Sequence, residues 1–192
     1  GEIISADSMQ IYRGMDIGTA KPTFEERRGI VHHMMDIADP SENFSAADYV
    51  RLARGVISDI SRRGKMPVMV GGTGLYIDSL VNNVDFSAED TNTALRRELS
   101  EQAEREGYGA MHKILAQIDP ETAAKYHPNN IRRIIRAIEF YKTTGETISA
   151  NARKEKISPY DCVYFCIDWD RETLYDRINR RVDIMLADGL ES

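Results

Sequence analysis

Cysteine is scarce in this 192-residue chain, and the two present, Cys162 and Cys166, alternate within one short run, Cys-Val-Tyr-Phe-Cys. On an extended strand, residues four apart share a face but lie about 13 Å from one another, too far for a disulfide. A disulfide-stapled scaffold is thereby excluded, and the pair reads as buried structural thiols in a reducing compartment. Long hydrophobic runs are also missing. No apolar stretch approaches the roughly 20 residues that span a bilayer, so the expectation is a cytoplasmic protein with no membrane partner. Positive charge is in deficit, with 25 Lys and Arg against 31 Asp and Glu for a net charge of −6. Any nucleic-acid site must then be a local basic patch on an acidic background. The histidines form no ligand set of zinc-like spacing, since His32 and His33 are adjacent and His112 and His127 isolated, and no metal ligand is assigned. No G-x-x-x-x-G-K-[ST] loop occurs, and there is no internal repeat or low-complexity segment.

The chain is long enough for one sizeable core, or a core with an inserted subdomain, and its 42% hydrophobic and 29% charged composition is ordinary for a globular protein. Its first stretch carries the densest chemistry. Ile3-Ile4 reads as a buried strand that ends in Ser5-Ala6-Asp7-Ser8, placing a carboxylate and two hydroxyls at a strand's C-terminal end. In open α/β sheets that is the edge where ligands bind. Gly18-Thr19-Ala20-Lys21-Pro22 follows, and Thr19 and Lys21 supply a hydroxyl and an ammonium suited to phosphate. Asp and Ser after a strand also serve as turn formers or helix caps, so the spacing alone leaves both readings open.

Residues 32–37 look like a second short strand. Ser45 with Asp48 three residues on is a capping-box arrangement, and Tyr49, Leu52, Val56, Ile57 and Ile60 fall on one face of the helix it opens. Gly64 and Pro67 end that helix. Met66–Val70 reads as a buried parallel strand, stopping at Gly71-Gly72-Thr73-Gly74 before the next helix. Strand, helix, strand and glycine turn make a βαβ architecture. From about Ser87 the texture becomes charged and helical. Leu95, Leu99 and Ala103 mark one amphipathic helix; Met111, Ile114, Leu115 and Ile118 mark another; Ile131, Ile134, Ile135, Ile138 and Tyr141 mark a third, closed by Gly145. Val163, Phe165 and Ile167 then alternate as a strand, and Asp170 caps a final helix with Leu174, Ile178, Val182 and Met185 on its apolar face. The expected fold is α/β, with residues 1–87 and 159–192 forming a mostly parallel sheet with its helices and residues 88–158 a helical insertion.

Three motifs carry a resemblance. Ser-Ala-Asp-Ser-Met-Gln-Ile-Tyr-Arg-Gly-Met-Asp-Ile-Gly-Thr-Ala-Lys-Pro over 5–22, Val-Gly-Gly-Thr-Gly-Leu-Tyr over 70–76, and His-Pro-Asn-Asn over 127–130 followed by Arg-Arg-Ile-Ile-Arg-Ala-Ile-Glu over 132–139 resemble, in family order, the tRNA dimethylallyltransferases, also called tRNA isopentenyltransferases. The resemblance covers nearly the whole chain. It implies a P-loop NTPase-like fold and a prenyltransferase that moves a dimethylallyl group from dimethylallyl diphosphate to the N6 amine of the adenosine 3′ of the tRNA anticodon. By the same resemblance, Asp7 is the general base that contacts that amine, and Ser8, Met9 and Gln10 line the target base. Thr73 hydrogen-bonds the leaving diphosphate, for which the phosphate-suited Thr19 and Lys21 are the further candidate contacts. Arg132, Arg133, Ile134, Ile135 and Arg136, together with Arg96 one residue off the family spacing, contact the anticodon stem-loop.

Family members carry a glycine-rich phosphate loop upstream of the Asp strand, so Mg2+ is expected with that loop, and the chain resembles a central fragment whose activity in isolation is doubtful. Nothing demands more than a monomer. Three other readings stand beside this one: an isopentenyltransferase acting on free adenine nucleotides, a P-loop small-molecule kinase, and an inactive fragment that only binds RNA.

Overall fold

The computed structural model describes residues 1–84, 86, 93–154 and 157–191. Its elements run β1 (Glu2–Ser5), β2 (His32–His33), α1 (Ala46–Arg62), β3 (Pro67–Val70) and α2 (Gly74–Val81). They continue as α3 (Thr93–Glu106), α4 (Tyr108–Ile118), α5 (Pro120–Lys125), α6 (Ile131–Thr144), α7 (Ile148–Ala152) and α8 (Arg171–Ala187). The chain divides into two compact units, one of residues 1–84 and 157–192 and one of residues 85–156.

The first unit is α/β. Its three-stranded sheet has the order β2-β1-β3 and is parallel throughout, Ile3 and Ile4 pairing with His32 and His33, and Glu2 to Ser5 with Pro67 to Val70. β1 is central, with Ile4 buried. β2 is shorter than the strand expected over 32–37, because Met34 and Asp36 take left-handed backbone at φ 64° and 55°, which turns the chain out of extended conformation. β3 is parallel as expected, but it is not buried: Val68 is 40% and Val70 53% exposed. Only β1 pairs with it among the described residues.

α1 begins at the expected capping box. The Ser45 hydroxyl accepts from the Asp48 amide, and the Asp48 carboxylate accepts from the Ser45 amide. At the other end Gly64 takes φ 69°, a conformation that suits a residue without Cβ. Tyr49 of α1 stacks on Tyr76 of α2 with ring centroids 4.0 Å apart and donates its hydroxyl to the Ser5 carbonyl at 3.0 Å. Burial holds the Tyr49 phenol well above its ordinary pKa, so it remains a donor.

The N-terminal end of β1 has its own anchor. Buried Glu2 receives both Nη atoms of Arg63 at 2.6 and 2.7 Å, Lys65 Nζ at 2.7 Å and sits 2.7 Å from His33 Nε2. Hydrogen bonds from Arg63, then Lys65 and His33, hold its carboxyl far below the usual carboxylate range. One side chain thus ties β1 to β2 and to the C-terminal end of α1.

Residues 161–170 form no strand, contrary to the alternation of Val163, Phe165 and Ile167, and Phe165 is 90% exposed. Cys162 and Cys166 are likewise exposed, free thiols, which corrects the expectation of burial. The physical reason is shared. An alternating sequence becomes a strand only against a partner edge, and no ladder reaches this segment among the described residues. The Asp170 carboxylate caps α8 by accepting from the Thr173 amide at 2.9 Å, yet Leu174, Ile178 and Val182 remain exposed.

The second unit is helical. Leu99 and Ala103 of α3, Met111 and Leu115 of α4, Ala123 of α5 and Ile134, Ile135, Ala137 and Ile138 of α6 make one buried cluster. Two short helices join the three legible in the sequence. α5 starts at Asp119-Pro120, Asp119 being the cap and Pro120 the first helical residue. The buried Asp119 carboxylate accepts from the Thr122 hydroxyl at 2.6 Å, the Thr122 amide at 3.0 Å and the Ser149 amide of α7 at 3.0 Å. Burial alone would raise its pKa, but those hydrogen bonds outweigh it and hold the carboxyl at about 2. His112 joins the same corner, its Nε2 lying 3.0 and 2.9 Å from the Ala123 and Tyr126 carbonyls.

Among the described residues no helix is long and apolar enough to cross a membrane.

Candidate active site

The C-terminal ends of β1 and β3 are stitched together by backbone. The Ala6 amide donates to the Val70 carbonyl at 2.8 Å and the Thr73 amide to the Ala6 carbonyl at 3.0 Å. Gly71 makes this approach possible, since a Cβ there would stand 2.3 Å from the Ala6 carbonyl oxygen. The glycine therefore admits the neighbouring strand. Gly72 and Gly74 face open space.

This seam brings Asp7 and Thr73 together. The Thr73 hydroxyl accepts from the Ser8 amide at 2.9 Å, across 65 residues of chain. Thr73 occupies the N-cap position of α2 but makes no side-chain cap bond, and its own proton meets no acceptor among the described residues. Asp7 Oδ1 accepts from the Met9 amide at 2.8 Å and the Gln10 amide at 3.2 Å, an Asx turn of the kind its position allowed. That turn occupies one oxygen, and Oδ2 has no partner among the described residues. Turn former and base are thus compatible roles for one side chain.

Beyond Asp7 lies a cavity of about 650 Å3, walled by Met9, the 14–19 loop and, from the far end of the chain, Arg181 and Leu190. Gln10 holds the loop in place. Its Nε2 donates to the Thr19 and Ala20 carbonyls at 3.1 and 3.3 Å, while its Oε1 accepts from the Ser5 hydroxyl at 3.2 Å. Arg181 Nη2 reaches the Thr19 carbonyl at 3.3 Å. No spacing rule connects Arg181 or Leu190 to the 14–19 loop, so sequence reasoning did not find them.

The two residues assigned to phosphate are committed elsewhere. Lys21 Nζ donates to the Tyr12 carbonyl at 2.8 Å, Asp16 Oδ1 at 2.7 Å and Asp36 Oδ1 at 2.5 Å. Burial alone would lower its pKa, but the two carboxylates outweigh this and raise it above the ordinary lysine value. With three donors and three acceptors the ammonium is saturated, so in this geometry it braces the loop and has no proton left for a phosphate. The Thr19 hydroxyl donates to the Met15 carbonyl at 2.7 Å and closes the same turn.

The residues assigned to RNA lie in the helical unit, on α3 and α6. Arg132 and Arg133 are exposed, with the Arg133 guanidinium 6.0 Å from the Tyr126 ring centroid. Arg96 and Arg136 meet at Glu139, at 2.7 and 3.3 Å. Ile134 and Ile135 require a correction. They belong to the buried stripe of α6, 0% and 7% exposed, and their side chains pack in the core of the helical unit. Among the described residues no group of three or more His, Cys, Asp or Glu side chains comes together to hold a metal ion.

Comparison with known proteins identifies the family. A family model described as IPP transferase matches residues 10–192. The tRNA dimethylallyltransferase of Bacillus subtilis is 51% identical over 190 residues, and that of Bacillus cytotoxicus 50% identical over 192. These alignments take in 98% and 100% of this chain but 60% and 61% of the relatives, so the chain spans about three-fifths of their length. Among solved structures, the full-length tRNA isopentenylpyrophosphate transferase of Bacillus halodurans superposes with a TM-score of 0.63 at 48% identity, over 99% of this chain and 59% of that one. A eukaryotic dimethylallyltransferase acting on tRNA superposes with a TM-score of 0.84 at 36% identity, over 98% of this chain and 47% of that one. With the family model matched over residues 10–192, the chain belongs to the IPP transferase family.

Proposed function

We propose that the protein transfers a dimethylallyl group from dimethylallyl diphosphate to the N6 amine of the adenosine 3′ of the tRNA anticodon. The observation that carries this reading is the Ser8–Thr73 hydrogen bond, which sets a carboxylate and an uncommitted hydroxyl proton at one sheet edge. In the reaction, the carbon–oxygen bond of the dimethylallyl diphosphate breaks, and the diphosphate leaves with the electron pair. The N6 lone pair forms the new carbon–nitrogen bond. Asp7 takes the proton that the amine must lose, and the Thr73 hydroxyl donates to the leaving oxygen as its charge develops. Ser8, Met9 and Gln10 shape the wall against which an extruded base would sit.

Magnesium would neutralise the diphosphate when bound, but the described residues assemble no ligand cluster for it, and no step is assigned to it. Arg132 and Arg133, exposed on α6, suit the phosphate backbone of an anticodon stem-loop. The reading needs no second subunit and places the protein with its tRNA in the cytoplasm.

The test incubates this chain, and a version lengthened at both ends to match its relatives, with magnesium, dimethylallyl diphosphate and unmodified tRNA. The RNA is then digested and weighed by mass spectrometry. A prenyl-sized gain on adenosine from the lengthened protein is expected. Binding of tRNA with no gain from either protein would leave only an RNA-binding module. In the lengthened protein Asp7→Ala should abolish transfer with tRNA binding nearly intact; undiminished turnover would overturn the base assignment.

A further inference from the structure

The helical unit buries one carboxylate that its packing does not require. Glu139 is 1% exposed and shares α6 with the buried Ile135 and Ile138, positions at which an apolar side chain would fill the same space. One of its oxygens, Oε1, is buried with no hydrogen-bond partner among the described residues, which is destabilising. Among the described residues its other oxygen does all the binding. Oε2 accepts from Arg96 Nε at 3.2 Å and Nη2 at 2.7 Å, and from Arg136 Nη1 at 3.3 Å. A single buried atom therefore holds two guanidiniums from two helices, α3 and α6, while the Arg96 side chain stays 44% exposed. One turn before Arg136 on the same helix stands the exposed Arg132, with Arg133 beside it.

We infer that Glu139 is a positioning residue for RNA: it fixes the Arg96 guanidinium, by its Nε–Nη2 edge, in the orientation in which the remaining edge grips a phosphodiester next to Arg132 and Arg133. This rests on the reading that the protein binds tRNA. A free arginine loses side-chain freedom on meeting a phosphate, and a guanidinium already held by its other edge loses less. The buried charge is costly in the unbound protein and lowers that ordering cost on binding.

The sign of the effect of Glu139→Gln separates this role from plain electrostatics. Removing a carboxylate from an arginine cluster adds net positive charge and by itself would tighten RNA binding. Loss of positioning would weaken it. Binding of a fluorescent anticodon stem-loop to the 192-residue chain is measured across a salt series, well below the melting temperature of each variant. The expected result is an affinity for E139Q about tenfold weaker than wild type, of the order of one lost charge-assisted contact. R96M should lose a similar amount, with a salt slope shallower by about one, and the double variant should be no worse than R96M alone.

Unchanged or tighter binding by E139Q, or full additivity in the double variant, would overturn the inference. If E139Q fails to fold, R96K supplies the test, because it keeps the charge and loses the planar fork; wild-type affinity in R96K would overturn the inference equally. Absence of salt-dependent binding by the wild type would overturn the tRNA reading together with this one, whereas wild-type binding with an unaltered E139Q removes this one alone.

Discussion

α6 and α8 are written in the same hand and meet different fates. Each carries branched apolar residues at helical spacing, and each forms a helix of at least 14 residues. On α6, Ile134 and Ile138 are completely buried, whereas Ile178 of α8 is 47% exposed and no residue of α8 is buried. The difference lies outside either helix. α6 packs against α3 and α4, which precede it within the same helical unit and bring their own apolar stripes. α8 follows a segment that pairs with no strand among the described residues. Amphipathic spacing thus encodes a helix and the face it will bury, but the burial depends on a partner.

The sharpest way to break that comparison is to truncate one residue on each helix. Ile138→Ala should destabilise the helical unit by about 2–5 kcal/mol, the range for a fully buried aliphatic side chain. It would be read as lost hydrogen-exchange protection across α3, α4 and α6; protection within error of wild type would refute the packing described. In the α/β unit, Gly71→Ala should cost about 1–3 kcal/mol as an overpacking change, because its Cβ would overlap the Ala6 backbone. Exchange of the Ser8 amide should accelerate in that variant, since the Thr73 bond depends on the seam.

A pH series sharpens the contrast further. The Asp119 carboxyl is held down at about 2 from an ordinary 3.8, so the stability it contributes is fully present above pH 4 and drains away as pH falls toward 2. The α5–α7 corner should lose protection in that window, and Asp119→Asn should flatten the dependence there. The smallest effect is expected at α8. Ile178→Ala should change stability by less than about 0.5 kcal/mol, and a larger loss would show that its apolar face is covered in solution.

The candidate site was legible in part. Position at a strand's end marks Asp7 as a candidate and the family resemblance singles out Thr73, and strand ends of parallel neighbours converge at one edge. Lys21 is less legible, because an ammonium beside a glycine loop looks the same in sequence whether phosphate or carboxylate answers it. Asp36, which takes one of its protons, lies 15 residues away. Ile134 and Ile135 show the opposite error. Inclusion in an RNA-contact segment named every residue of a stretch, while the 3.6-residue period of α6 sends only some of them outward.

What the sequence determined by itself is local: the capping box at Ser45, the glycine stops at Gly64 and Gly145, the stripes of α3, α4 and α6, and the change from α/β to helical texture. These follow from backbone sterics and from periods of two and 3.6 residues, which act over a few neighbours. Only the tertiary structure decided that Gly71 meets Ala6, that Glu139 gathers Arg96 and Arg136, that Arg181 reaches the Thr19 loop, and that the 161–170 segment finds no strand partner among the described residues. Each is a contact or a missing contact between residues far apart in the chain, set by which elements share a unit and by which edges find a partner.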